Sequence, residues 1–240
     1  ALGLDSGFQV SGFGFRVSGF GFRVSPPYTL AVNGSRVIII GNPYSGSGDN
    51  HRVIDALAAA LSRRGFAAEV ALTDEQKTRA ANTPAHCVVA AGGDGTVHHA
   101  INGAYDGPLA VLPLGTENLY ADAFGFTADA EALATVIERG RVKQIDLATA
   151  GDRRFGLMIS AGFDADVAHR LDRWRTRKGP AKRVRRRTYR RFILTSAVLY
   201  RWPRITLETD HGRINGAHAM VFNLPEYGFD LDFAPDARAD

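Results

Sequence analysis

With 240 residues, 45% of them hydrophobic and 22% charged, the chain is long enough to bury a substantial core as one large domain or two modest ones. That composition excludes a disordered tail, a collagen-like fibre and a small stapled mini-protein, and the single cysteine, Cys87, excludes an internal disulfide. The net charge of +4 conceals twelve Lys/Arg against one acid, Asp172, between Arg170 and Arg191, a segment of +11 that leaves −7 for the rest.

Residue 1 is Ala, no cleavable signal pattern opens the chain, and the expectation is of a chain lacking its start. Ser11-Gly12-Phe13-Gly14-Phe15-Arg16-Val17 recurs as Ser18-Gly19-Phe20-Gly21-Phe22-Arg23-Val24. Seven residues fall short of a solenoid unit, and glycine at every second or third position argues against a stable strand or helix. Residues 1–34 are therefore expected to be a disordered, low-complexity leader. Arg36–Ile40 is β-branched and continuous, the pattern of a strand buried on both faces. A turn-rich loop, Gly41–Gly48, leads to a helix over His51–Arg64, which Gly65 stops. Ala67–Leu72 reads as a strand, Asp74–Ala81 as a short helix, and Cys87–Ala91 as a third strand. In that apolar run Cys87 reads as a buried core thiol, in keeping with a reducing compartment. Gly92-Gly93-Asp94-Gly95-Thr96 follows, then a helix through Ala100 and Ile101. A fourth strand, Leu109–Leu112, precedes Pro113-Leu114-Gly115-Thr116 and another helix. Alternating strands and helices imply a parallel sheet covered on both faces, with ligands at the carboxyl ends of its strands. Beyond Arg141, Val142–Ala150, Phe155–Ala161, Pro203–Thr209 and Ala217–Asn223 read as strands with hairpin turns at 151–153 and 210–212. The expected organisation is an α/β domain over 35–141 and an antiparallel, β-rich second lobe over 142–240, interrupted by a basic helical insert at 166–200.

No Walker-type loop occurs, but glycines in the loops after the first, third and fourth strands let main-chain amides approach an anion beside a helix start. Asp94 is the odd member, since a carboxylate repels phosphates. It makes sense if it holds Mg²⁺ through oxygen or accepts a proton from an attacking hydroxyl. Several such loops at successive strand ends point to nucleotide binding.

Three runs carry a family resemblance: Gly41-Asn42-Pro43-Tyr44-Ser45-Gly46-Ser47-Gly48, Gly92-Gly93-Asp94-Gly95-Thr96-Val97 and Leu112-Pro113-Leu114-Gly115-Thr116-Glu117-Asn118. Ile145-Asp146-Leu147, Ser160-Ala161-Gly162-Phe163-Asp164-Ala165 and the stretch from Asn223 through Tyr227-Gly228 to Ala234-Pro235-Asp236-Ala237 extend it. The chain resembles the diacylglycerol kinase catalytic-domain family, over about 36–240. Gly-Gly-Asp-Gly alone is shared with NAD kinases and phosphofructokinases. The resemblance implies an N-terminal lobe of that type and transfer of the ATP γ-phosphoryl group to a lipid hydroxyl. It implies ATP contacts at Asn42, Ser45, Gly46, Gly48 and Thr73, at Gly92, Gly93, Asp94, Gly95, Thr96, Val97 and His98, and at Gly115 and Thr116. Asn118 would fix its loop. Asp94 would be catalytic, organising Mg²⁺ and the reacting oxygens, and the lipid would enter between the lobes near Gly162, Phe163 and Asp164. Asp240 stands where the family begins an Asp-Gly turn that holds a structural metal. The second lobe is thus expected to be incomplete, without the acidic residue often assigned as general base, in a truncated and catalytically uncertain copy.

Two departures concern the nucleotide loops. His98-His99 replaces the family's usual Asn-Glu, and adjacent histidines face different sides of a helix, which disfavours a shared metal. Glu117 replaces the usual Gly and is expected to crowd its loop. The basic insert suggests an anionic membrane surface as partner, hence a cytoplasmic protein peripheral to the inner membrane face. Trp174, Tyr189, Phe192 and Trp202 are candidates for the interface, the core being the favoured place for Phe192 and Trp202. No base-reading motif supports a specific nucleic-acid partner. An NAD-kinase-like enzyme and a catalytically incomplete nucleotide-binding fragment are the alternatives. The lipid's identity and the oligomeric state are not legible in the sequence.

Overall fold

The computed structural model describes residues 6–10, 13–17, 20–21, 35–42, 50–81, 83–105, 107–178, 184, 186–209 and 212–239. Its elements run β1 (Ser6–Val10), β2 (Phe13–Val17), β3 (Phe20–Gly21), β4 (Arg36–Gly41), α1 (Asn50–Arg63), β5 (Ala67–Ala71), α2 (Asp74–Ala80), β6 (Cys87–Gly92), α3 (Asp94–Asn102), β7 (Leu109–Pro113), α4 (Leu119–Phe124) and α5 (Ala130–Arg139). They continue β8 (Asp146–Ala150), β9 (Arg153–Phe155), β10 (Met158–Ala161), α6 (Phe163–Lys178), α7 (Arg186–Leu199), β11 (Ile205–Thr209), β12 (Gly212–Gly216) and β13 (Ala219–Phe222), with a 3₁₀ turn at Gly228–Asp230. The chain divides into two compact units, one of residues 23–144 with 228–230, the other of 1–22, 145–227 and 231–240.

In the first unit four parallel strands lie in the order β5-β4-β6-β7. Val37, Ile38, Ile39 and Ile40 of β4 are all fully buried, because a central strand of a parallel sheet is covered on both faces. Alternation sorts them. Val37 and Ile39 join Val89, Ala91 and Leu112 under α1 and α5, which supply Ile54, Leu57, Leu61, Leu133, Ala134 and Ile137. Ile38 and Ile40 face the other way, with α3 packed against β4 and β6. Each such side chain contributes about 1.5–3 kcal/mol by leaving water. At the rim, Glu131 of α5 pairs with Arg63, the last residue of α1, and with Arg64 in the turn after it. The sequence reading leaves one helix after β7. There are two, because Gly125 takes a left-handed conformation (φ 71°) that ends α4, and Asp129 then caps α5 by accepting from the amides of Glu131 and Ala132.

The second unit is antiparallel. β8 and β9 form a hairpin, β10 pairs with β13, and β11 pairs with β12. Two expectations need correction, and one strand was not read at all. The leader carries strands: β1 pairs with β2 and with β11, and β3 pairs with β8. Glycine lowers strand propensity but keeps its N–H and C=O, and a partner strand can satisfy both. Phe155–Ala161 is not one strand, since the Asn223 side chain donates to the Gly156 carbonyl (3.1 Å) and to that of Asp146 (2.9 Å), and its amide to Leu157 (2.7 Å). β12 is exposed along its whole length and so lacks the apolar alternation that would have announced it. In the basic region the described residues form α6 and α7, which pack on each other.

Candidate functional site

In a parallel sheet every strand ends at the same edge, so the loops after β5, β6 and β7 of the first unit, and Asn42 after β4, converge there. Two of them touch backbone to backbone. A Cβ on Gly115 would stand 2.4 Å from Gly93 Cα, and one on Gly93 would stand 3.1 Å from Gly115 Cα. Both positions are glycine because no side chain fits between the two loops. Asn118 holds the second loop as expected: its Oδ1 accepts from the Gly115 amide at 2.7 Å and its Nδ2 donates to the Gly115 carbonyl at 3.3 Å. It adopts a left-handed conformation (φ 61°), which asparagine tolerates better than most residues.

Asp94 opens α3 and is the bridge between the loops. Its Oδ1 accepts from the amide of Tyr120, in the first turn of α4, at 3.2 Å. Burial raises its pKa above the ordinary carboxylate value, while the amides at the start of α4, Tyr120 and Leu119 among them, pull it back down. One carboxylate thus lies against the starts of two helices, where its negative charge is stabilised. The helix start also fixes its neighbours. A Cβ on Gly92 would meet Thr96 Oγ1 at 2.2 Å, whereas one on Gly95 would meet nothing within 4 Å. Gly95 is exposed, and Val97 faces the core at 1% exposure with its amide bonded to the Gly93 carbonyl.

Asn42 follows β4, its amide donating to Ala91 O at 3.2 Å and its carbonyl accepting from Asn50 Nδ2 at 3.4 Å. Thr73 is the N-cap of α2. Its hydroxyl accepts from the Gln76 amide (3.2 Å) and Gln76 Oε1 accepts from its own amide (3.0 Å). Thr116 is exposed in the loop after β7. His98 and His99 lie on α3, where His99 turns its ring edge to Tyr105 and burial, with Lys77 nearby, holds its imidazole below the usual value. Among the described residues no group of three His, Cys, Asp or Glu could hold a metal. Glu117, expected to crowd its loop, accepts at its Oε2 from the Phe229 amide at 3.4 Å. Ser45, Gly46, Gly48 and Asp240 lie outside the described residues.

Gly162, Phe163 and Asp164 belong to the other unit, at the start of α6. Gly162 has φ +111°, and a Cβ there would meet Ala217 O at 2.7 Å, so glycine is required. Asp164 accepts from Ser160 Oγ at 2.9 Å and from Tyr227 Oη at 2.7 Å. Burial, then that bond, raises the Tyr227 phenol well above its ordinary value. Phe163 stacks on Trp202 with centroids 5.2 Å apart and planes 3° from parallel. Trp202 itself is 49% exposed, which corrects its assignment to the core.

Sequence reasoning missed three partners: Asn50, 3% exposed, and Ser160 and Tyr227 around Asp164. Only Asn50 carried a local signal, as an asparagine at a helix start after a turn-rich loop. Cys87 behaves as expected, buried with its thiol pushed up to about 12 by desolvation.

Residues 36–150 match the diacylglycerol kinase catalytic domain. A diacylglycerol kinase from Mycobacterium tuberculosis is 31% identical over 154 residues, 58% of this chain and 50% of that protein. One from Staphylococcus epidermidis is 29% identical over 144 residues, 56% of this chain and 46% of that one. The chain spans about a third to a half of the curated relatives it matches. The crystal structure of a diacylglycerol kinase from Bacillus anthracis superposes with a TM-score of 0.58 at 20% identity, covering 86% of this chain and 72% of that one. That likeness shows a shared fold, a parallel α/β part followed by an antiparallel part. Over residues 36–150, just under half of the chain, the sequence matches the diacylglycerol kinase catalytic domain, and the converging glycine loops and the shared fold agree with that match.

Proposed function

We propose that this chain carries the nucleotide site of a lipid kinase, which transfers the γ-phosphoryl group of ATP to the hydroxyl of a diacylglycerol-like or sphingoid lipid. The observation that carries the reading is the Gly93–Gly115 contact, bridged by Asp94 to the start of α4. It gathers main-chain amides and one carboxylate at the carboxyl edge of a parallel sheet. Phosphoryl transfer depends on positioning and charge neutralisation, so this set suits the chemistry without a covalent nucleophile. The phosphates are read along Gly92, Gly93, Gly95, Thr96 and His98, with Val97 supporting that turn from the core. Gly115, Thr116, Asn42 and Thr73 flank the nucleotide, and Ser45, Gly46 and Gly48, close behind Asn42 in sequence, are read from the resemblance as further contacts to it.

Mg²⁺ fits the donor chemistry, since it needs only one or two carboxylates beside substrate phosphates, and Asp94 would hold it. When bound, the ion supplies charge neutralisation to the transferring group. The acceptor lipid is read at Gly162, Phe163 and Asp164, where Tyr227 and Ser160 hold the carboxylate. The basic insert is read as contact with an anionic membrane surface, on the inner face of a cytoplasmic membrane. No helix among the described residues is long and apolar enough to cross one.

The test is γ-labelled ATP with Mg²⁺ and a panel of neutral lipids in detergent micelles, with NAD as a parallel acceptor. Label in the organic phase, lost in Asp94→Asn, is the expected result. Label in NADP alone would replace this reading with the NAD-kinase-like one. No transfer, with ATP still raising the melting temperature, would leave a nucleotide-binding fragment.

A further inference from the structure

We propose that the C-terminal half of α7, together with Trp202, is an apolar wedge that enters an anionic bilayer. The proposal deepens the membrane reading above and holds whether or not this chain transfers phosphate.

The helical period divides α7 into two faces. Tyr189, Phe192, Ile193, Ser196 and then Tyr200 recur at the i, i+3, i+4, i+7 spacing and are half-buried or buried. Phe192 sets its ring against Trp174 of α6, centroids 6.1 Å apart, so this face is the one packed inward. The opposite face changes character along its length. Its first turns present exposed Arg187, Arg190 and Arg191. Its last turns present Leu194 at 69% exposure, Val198 at 82% and, beside them, Leu199 at 57%. Large aliphatic side chains exposed singly need no explanation, but a run of them on one helix face does.

Trp202 continues the run. Its backbone is left-handed (φ 49°), an uncommon state for a bulky residue, and its exposed ring is held against Phe163 and edge-on to Tyr200. The strain is borne where the ring is kept at the surface. An indole in this position has one face on protein and the rest open, the arrangement that suits the headgroup boundary of a bilayer.

Charge selects the occupant. The segment Arg170–Arg191 carries +11 in sequence, and Arg187, Arg190 and Arg191 of α7 are exposed. A basic start that grades into an apolar end on one helix face matches a surface with anionic headgroups over acyl chains. A second copy of the chain would set like charges against each other. Duplex DNA would engage the arginines and leave Leu194, Val198 and Trp202 without a partner.

The experiment is co-sedimentation of the full chain with vesicles of phosphatidylcholine alone or with about 30% phosphatidylglycerol. Trp174→Phe leaves Trp202 as the single indole reporter. The expected results are binding to the anionic vesicles and a blue shift of Trp202 emission. A Leu194→Glu, Val198→Glu double variant is expected to lose at least tenfold in partitioning with an unchanged melting temperature, both sites being exposed. Label transfer in micelles stays at the parent level in that variant if the chain is active, which separates docking from chemistry. Unchanged vesicle binding in the double variant, or no emission shift, overturns the proposal. So does a dimer in sedimentation velocity that the same substitutions dissociate. Tighter binding to random duplex DNA than to anionic vesicles overturns it as well.

Discussion

Gly115→Ala places one methyl group where two loops meet. Its carbon would lie 2.4 Å from Gly93 Cα and 2.6 Å from Asn118 Oδ1, against 3.4 Å or more in ordinary contact. The nearest atom is backbone, so no rotamer change relieves the clash, and the loops must part by about 1 Å. Inserting a methyl into such a junction costs about 1–3 kcal/mol. For a chain of this size each kcal/mol lowers the melting temperature by roughly 2–4 °C. The separation also pulls Gly115 away from Asn118 and the start of α4 away from Asp94. A shift of about 1 Å in positioning groups can lower transfer by about 100-fold. Urea unfolding measures the first effect, and titration calorimetry with ADP and Mg²⁺, followed by labelled transfer, measures the second. A variant with the parent unfolding midpoint and the parent nucleotide affinity would refute the argument that the loops are in contact.

Three further substitutions probe the same frame. Gly95→Ala meets nothing within 4 Å and lies in α3, so it is expected to stabilise the free protein by about 0.5–1 kcal/mol. If a phosphate approaches this backbone, ADP affinity falls at least tenfold in calorimetry; unchanged affinity would remove Gly95 from the site. Asp94→Asn keeps an acceptor for the Tyr120 amide and removes a charge that burial disfavours. Because the folded pKa of Asp94 is raised, wild-type stability falls as pH rises from the ordinary carboxylate value through the folded one. The variant should therefore be the more stable protein at pH 7, with the difference vanishing below pH about 4, in urea titrations across pH. A difference that grows on acidification would contradict this sign. Tyr227→Phe removes a 2.7 Å bond to the Asp164 carboxylate and is expected to cost about 1.5–3 kcal/mol in the same assay. A cost under about 0.5 kcal/mol would mean that the bond contributes little.

The parallel domain was legible because its signals are local. Arg36–Ile40 announces a strand covered on both faces, the spacing of Ile54, Leu57 and Leu61 announces the helix above it, and Gly65 announces where that helix stops. The glycine loops were legible for the same reason, since each stands directly after a strand. The antiparallel unit was read less well. Strand β12 has no buried face to impose a period, and the break between β9 and β10 is caused by Asn223, far away along the chain. The strands at the chain's start were missed because their partners are β11 and β8, which no local rule connects to a glycine-phenylalanine repeat.

The sequence by itself therefore determined the α/β order of the first unit, the placement of its glycine loops at strand ends, and the positive charge of the insert, all consequences of side-chain type at short spacing. Tertiary structure alone decided which atoms meet. It set Gly93 against Gly115, turned the Asp94 carboxylate to the start of α4, gave Asp164 its two hydroxyl partners, and left Leu194, Val198 and Trp202 facing outward. Those contacts depend on backbone approach and on residues distant in sequence, and spacing along the chain carries no record of either.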